Sequence, residues 1–170
     1  MKSNKNLVLL GMMGSGKSTI GKLLAKKLNL QFVDVDFIIE DEAKMKISDI
    51  FKKKGEIFFR SLEEKITLKI LNSSSKVIAL GGGSFLNNKI RKEVIEKNFS
   101  FWLNWKNSTL INRIKKNNKR PIAYNSTETE LKNIMFQRFK IYNKAQFKIN
   151  CNKLTKTEIV SEILKKYANN

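Results

Sequence analysis

The nine residues GMMGSGKST, positions 11 to 19, constrain this chain more than any other stretch. They set Gly11, Gly16, Lys17 and Ser18 in the spacing G-x-x-x-x-G-K-[ST], directly behind the apolar run Leu7–Leu10. That order calls for a buried strand, a glycine-rich turn and a helix. Successive backbone N–H groups in such a turn form a concave nest for phosphate oxygens. The glycines permit close approach, and the following helix aims its positive end at the same anion. Lys17 would reach the β- and γ-phosphates, and the Ser18 hydroxyl would ligate Mg2+. A plain glycine-rich turn is the competing reading. The strand before the motif and the amphipathic helix after it decide against that, so binding of a nucleoside triphosphate is expected.

The rest of the chain alternates strand and helix. Lys5–Leu10 reads as a buried strand. Residues 17–28 carry Ile20, Leu23, Leu24, Ala25 and Leu28 on one helical face. Gln31–Asp34 is a second strand, followed by a short helix over 36–45. Ser48 can cap another that begins Ile50-Phe51. Gly55 interrupts it, and Glu56–Leu71 is again helical. Strands follow at 77–80, 99–103 and 146–149, with helices at 86–97 and 108–116. Residues 117–125, NNKRPIAYN, hold the single proline and read as a loop. Thr127 with Glu130, and Thr155 with Glu158, have capping-box spacing before the last two helices. Five strands alternating with helices imply one α/β domain over residues 1–170, a parallel sheet covered on both faces.

Composition narrows the function. The net charge of +19 raises nucleic acid as a partner. The lysines, however, run in short groups along the whole chain, with no aromatic-interleaved block to stack bases. No nucleic-acid partner is therefore expected. No apolar run is long enough to span a bilayer, so no membrane association is expected either. The single Cys151 fits a reducing cytoplasm, as an inert, mostly buried thiol. The absence of histidine excludes histidine acid–base and metal chemistry. Only five of the 34 basic residues are arginine. In a chain that uses lysine for plain positive charge, an arginine points to its planar, bidentate fork.

Asp34 and Asp36 end the second strand, at the carboxyl edge where open α/β sheets bind ligands. If that strand stays extended, both carboxylates face the same side. One could then hold a metal or its water, and the other address an acceptor hydroxyl. Helix capping is the alternative for Asp36. Gly81-Gly82-Gly83 ends the third strand and would let a substrate lie against backbone, or simply turn tightly. Arg60, beside Phe59 and Glu63, and Arg138, one turn before Tyr142, are candidate carboxylate or phosphate clamps. Surface salt bridges are the alternative for each.

Taken together, GMMGSGKST, DVD, IFKKKGEIFFRSLEE, ALGGG, RIKKNNKRP and QRFKIY resemble the shikimate kinase family over nearly the whole chain. The resemblance implies the nucleoside-monophosphate-kinase type of P-loop fold, three layers around a five-stranded parallel sheet. Substrate-binding helices would occupy about 36–62, and a mobile lid about 117–125. It implies transfer of the γ-phosphoryl of ATP to the 3-hydroxyl of shikimate, with Mg2+, on the route to aromatic amino acids. Gly14, Ser15, Gly16, Lys17, Ser18 and Thr19 would hold the ATP phosphates. Ser18 would ligate Mg2+, supported by Asp34. Asp36 would be the base on the substrate hydroxyl. Arg60 and Arg138 would bind the shikimate carboxylate, with Gly82 contacting the substrate through its backbone. Glu63 would orient Arg60, and Phe51 and Phe59 would line the pocket. Arg120, on the lid, would reach the transferring phosphates, and Arg113 would lie along the adenine. Asn150-Cys151 and Lys153 depart from the family pattern, Lys153 standing where an arginine often packs near adenine. The expected form is a cytoplasmic monomer. Kinases of the same fold acting on gluconate or nucleoside monophosphates are the rivals, together with a nucleic-acid-binding protein.

Overall fold

The computed structural model describes residues 4–116 and 126–169. Residues 117–125, where the sequence places a loop and lid, lie outside them, with Arg120. Five strands form one parallel sheet: β1 (Leu7–Leu10), β2 (Gln31–Asp34), β3 (Lys76–Ala79), β4 (Phe99–Asn104) and β5 (Phe147–Asn150), in the order β2-β3-β1-β4-β5. The described helices are α1 (Lys17–Leu28), α2 (Val35–Ala43), α3 (Ile47–Leu71), α4 (Asn88–Lys97), α5 (Asn107–Lys115), α6 (Glu128–Tyr142) and α7 (Lys156–Ala168). A short 3-10 turn, Ser84–Leu86, precedes α4.

Side chains alternate across the central strand and build two cores. Val8 and Leu10 pack with Ile78, Trp102, Ile39, Ile66 and Met135 on one face. Leu7 and Leu9 pack with Leu24, Phe101, Ile159 and Ile163 on the other. Helices α1 and α7 therefore cover one face, and α2, α3, α4 and α6 the other. This is the three-layer α/β arrangement expected from the sequence. Strand order reverses at β1, so the loop after β1 opens at the switch point where ligands of such sheets bind.

Local chemistry explains most boundaries and corrects a few. Both capping boxes form: Thr127 with Glu130 opens α6, and Thr155 with Glu158 opens α7. Ser48 is not a cap. Helix α3 begins earlier, at Ile47, because the Glu40 carboxylate accepts from the Ile47 backbone N–H (3.0 Å). Gly55 does interrupt the helical run, at φ 83° and ψ 170°. Strand β2 does not stay extended through Asp36 either. It ends at Asp34, which caps α2 by accepting from the Asp36 backbone N–H (3.2 Å).

Candidate active site

The loop after β1 is built around its own backbone. Gly14 and Gly16 take φ of 77° and 87°, values costly for any residue with a Cβ. Lys17 Nζ donates to the carbonyls of Gly11 (2.8 Å) and Met12 (3.1 Å), which holds its charge at the mouth of the turn. A cleft of about 200 Å³ opens there, lined by Gly14, Gly16, Lys17, Ser18, Asp34 and Asp36 among others. Thr19 also lines it, in the first turn of α1. A larger groove of about 460 Å³ lies between β5 and α7, but Lys148, Glu158, Glu162 and Lys165 line it, with no glycine loop.

Ser18 Oγ donates to Asp34 Oδ2 at 2.5 Å. A hydroxyl and one carboxylate beside a phosphate nest suit Mg2+, which keeps several waters and takes its other oxygens from phosphates. No cluster of three or more acidic or thiol ligands exists among the described residues, so a fully protein-caged metal does not fit. Asp34 serves twice, with one oxygen toward Ser18 and the other capping α2. Asp36 therefore sits in the first turn of that helix rather than on the strand. It still reaches the same cleft, because its carboxylate lies against Gly81: a Cβ there would stand 2.7 Å from Asp36 Oδ1.

The three glycines after β3 make room chiefly for the protein's own side chains. A Cβ on Gly81 would also meet Ser84 Oγ and Glu63 Oε1, and one on Gly83 would stand 2.7 Å from Arg60 Nη1. At Gly82 the crowding is looser, with Met13 N at 3.4 Å and Arg138 Nη1 at 3.6 Å. The turn is thus the junction of three parts: the phosphate loop, the Asp36 carboxylate and two arginines.

Each arginine is fixed differently. Arg60 Nη1 donates to the buried Glu63 (2.7 Å), whose other oxygen accepts from Ser84 Oγ (2.7 Å). Its Nε and Nη2 donate to the exposed Glu56 (3.2 Å each). The clamp and salt-bridge readings of Arg60 are therefore compatible. Burial works against its charge, but Glu63 and then Glu56 outweigh it and hold the guanidinium above its ordinary value. Its guanidinium lies over Phe59 (5.1 Å), which packs on Phe51 with centroids 4.6 Å apart. Arg138 Nη1 donates to the Gly82 carbonyl (3.2 Å), which also accepts from the Tyr142 hydroxyl. Burial raises the Tyr142 phenol to about 12, so it stays a donor at neutral pH.

On the outer side of the phosphate loop, Arg113 Nη1 donates to the Gly14 carbonyl (3.2 Å). Its guanidinium lies 3.9 Å from the ring centroid of Trp105, and Trp105 Nε1 donates to the Ser15 carbonyl (2.9 Å). Sequence reasoning missed Trp105. The available signal was an aromatic residue just past the carboxyl end of β4, beside the switch point. It also missed Ser84, whose only signal was a hydroxyl adjoining the glycines. Lys153 is exposed, in a left-handed turn (φ 66°) after β5, outside the network around the loop. Cys151 is fully buried, and burial pushes its thiol up to about 12, as an inert cysteine requires.

Comparison with known proteins agrees with this geometry. The family model described as shikimate kinase matches residues 13–168. A shikimate kinase of a Sulfurihydrogenibium species is 43% identical over 165 residues, covering 95% of this chain and 97% of the relative. The crystal structure of shikimate kinase from Aquifex aeolicus superposes with a TM-score of 0.86 at 33% identity, covering 96% of each chain. Shikimate kinase from Acinetobacter baumannii, solved in complex with shikimate, superposes with a TM-score of 0.92 at 26% identity, covering 99% of this chain and 95% of that one. A gluconokinase from Sinorhizobium meliloti shares the fold alone, at a TM-score of 0.57 and 16% identity.

Proposed function

This chain belongs to the shikimate kinase family, and from that premise we propose which of its residues carry the reaction. The reaction itself moves the γ-phosphoryl of ATP to the 3-hydroxyl of shikimate, giving shikimate 3-phosphate and ADP, in aromatic amino acid biosynthesis. The observation that carries the residue assignment is the glycine turn at 81–83. It touches the phosphate loop, the Asp36 carboxylate, Arg60 and Arg138 within three consecutive residues. A cleft so lined can hold a polyphosphate on one side and a small hydroxylated carboxylate on the other.

The phosphates lie against residues 14–19, held by the amides that the turn leaves facing the cleft. Lys17 exchanges its carbonyl partners for β- and γ-phosphate oxygens. Ser18, with Asp34 behind it, would hold Mg2+, which would supply positive charge to offset that of the phosphates. Arg60 and Arg138 grip the substrate carboxylate, and the Gly82 backbone borders its ring. Asp36 accepts the hydrogen bond of the attacking hydroxyl and takes its proton as the new O–P bond forms and the bond to the leaving ADP oxygen breaks. Arg120, assigned from the sequence and outside the described residues, would stabilise the moving phosphoryl. Arg113 supports the adenine, and Lys153 borders it. Each charge contact on the transferring phosphoryl, from Lys17, Mg2+ or Arg120, would be worth about 3–4 kcal/mol of barrier, or two to three orders of magnitude in rate.

All these roles fall within one chain, so a monomer suffices. The dispersed positive charge draws in anionic substrates and needs no nucleic acid to account for it. No described helix is long and apolar enough to cross a membrane, and a single free cysteine supports the reading of a reducing, cytoplasmic location. A coupled ADP-release assay over shikimate, gluconate and nucleoside monophosphates tests the reading. Turnover with shikimate alone is expected. Equal turnover with gluconate, or none with shikimate, would overturn it.

A further inference from the structure

We propose that Trp105 is a positioning residue for nucleotide binding, bracing the phosphate loop from outside so that its amides face the polyphosphate. The inference deepens the ATP site described above and rests on that reading. Its basis is peptide geometry. In a trans peptide, the carbonyl of one residue and the N–H of the next point in opposite directions, and no peptide among the described residues is cis. Trp105 Nε1 holds the Ser15 carbonyl outward at 2.9 Å. That aims the Gly16 N–H inward, at the start of α1 where phosphate binds. Arg113 Nη1 holds the preceding carbonyl, Gly14, in the same way. The N–H that this orients, on Ser15, closes the turn by donating to the Met12 carbonyl (3.1 Å).

The two braces are coupled. The Arg113 guanidinium lies 3.9 Å from the indole centroid, within cation–π range. The half-buried indole therefore holds one loop carbonyl itself and keeps in place the side chain that holds the other. A loop fixed before binding loses less conformational freedom when the nucleotide arrives. The effect should appear in nucleotide affinity and not in the acceptor site, which depends on Arg60 and Arg138.

Two variants separate the contributions. Trp105→Phe keeps a ring beside Arg113 but removes the N–H donor. Trp105→Leu removes both. By titration calorimetry, MgADP binding should weaken roughly three- to tenfold in the first and roughly ten- to fiftyfold in the second. Shikimate affinity should change less than about twofold. The chain has two tryptophans, so MgADP should also change the wild-type indole emission, and that change should vanish in Trp105→Phe. Wild-type MgADP affinity in Trp105→Phe, with a native circular dichroism spectrum, overturns the brace. So does equal weakening of MgADP and shikimate, which marks general damage. If Trp105→Leu does not fold, Trp105→Phe and the emission change decide alone. A wild type that binds MgADP yet leaves shikimate unphosphorylated would instead sink the acceptor assignment, and the brace would stand.

Discussion

Single residues show why this chain spends arginine sparingly. Arg60 bridges two carboxylates, while Arg113 and Arg138 each reach a main-chain carbonyl of a glycine turn. Lysine offers a point charge and could not satisfy such forked or stacked geometry. Arg91 uses its fork structurally, Nη1 donating to the carbonyls of Phe85 and Leu86 and Nη2 to Asn88 Oδ1. Among the described residues, Arg60, Arg113 and Arg138 thus stand around the candidate site and Arg91 does not. Replacing Arg60 by alanine should raise the KM for shikimate roughly ten- to a hundredfold, since a charge-assisted hydrogen bond is worth about 1.5–3 kcal/mol. The KM for ATP should move far less, and steady-state kinetics with each substrate varied would read the split. The same variant leaves Glu63 buried with Ser84 Oγ as its remaining described donor. A stability loss of about 1–3 kcal/mol in urea denaturation is therefore expected as well.

Among the elements, α3 owes its shape to one glycine. Gly55 adopts φ 83° and ψ 170°, a region open essentially to glycine alone. A Cβ there would meet nothing within 4 Å, so its cost is purely that of the backbone. The kink lies between Phe51 and Phe59 and so sets their tilted contact and the reach of Arg60. Gly55→Ala should cost about 1–3 kcal/mol and raise the KM for shikimate with little change for ATP. Helix α7 offers a different test. Glu158 is held below its ordinary value by the backbone N–H and then the hydroxyl of Thr155. A folded value below the unfolded one gives stability that is complete above the unfolded value and is lost as pH falls through the folded one. Glu158→Gln should therefore lower the thermal midpoint relative to wild type at pH 7, and the gap should narrow once pH drops below about 4.5. A gap that stays constant down to pH 3 would show that the charge contributes nothing to the cap.

For the molecule as a whole, the sheet order β2-β3-β1-β4-β5 brings three carboxyl ends to one rim: the phosphate loop after β1, Asp34 after β2 and the glycines after β3. Because nucleotide binding selects the folded state, MgADP at a hundred times its Kd should add about 2.7 kcal/mol of stability. For a chain of this size that is a rise of about 5–10 °C in the midpoint, readable by scanning fluorimetry. An unchanged midpoint at saturation would deny the site its ligand. The sequence alone determined the phosphate loop, the five alternating strands, both capping boxes and the break at Gly55, because each is written in a short run of neighbours: a spacing, a period or a cap. It also singled out Asp36, Arg60 and Arg138 as candidates. Which side chains crowd Gly81 and Gly83, that Asp34 rather than Asp36 caps α2, and that Trp105 and Arg113 meet on the loop were decided only by the fold. Those contacts join residues far apart in the chain, or turn on where a strand gives way to a helix. Only packing β3 beside β1, and α5 against the phosphate loop, sets the distances that hydrogen bonds and close approaches require.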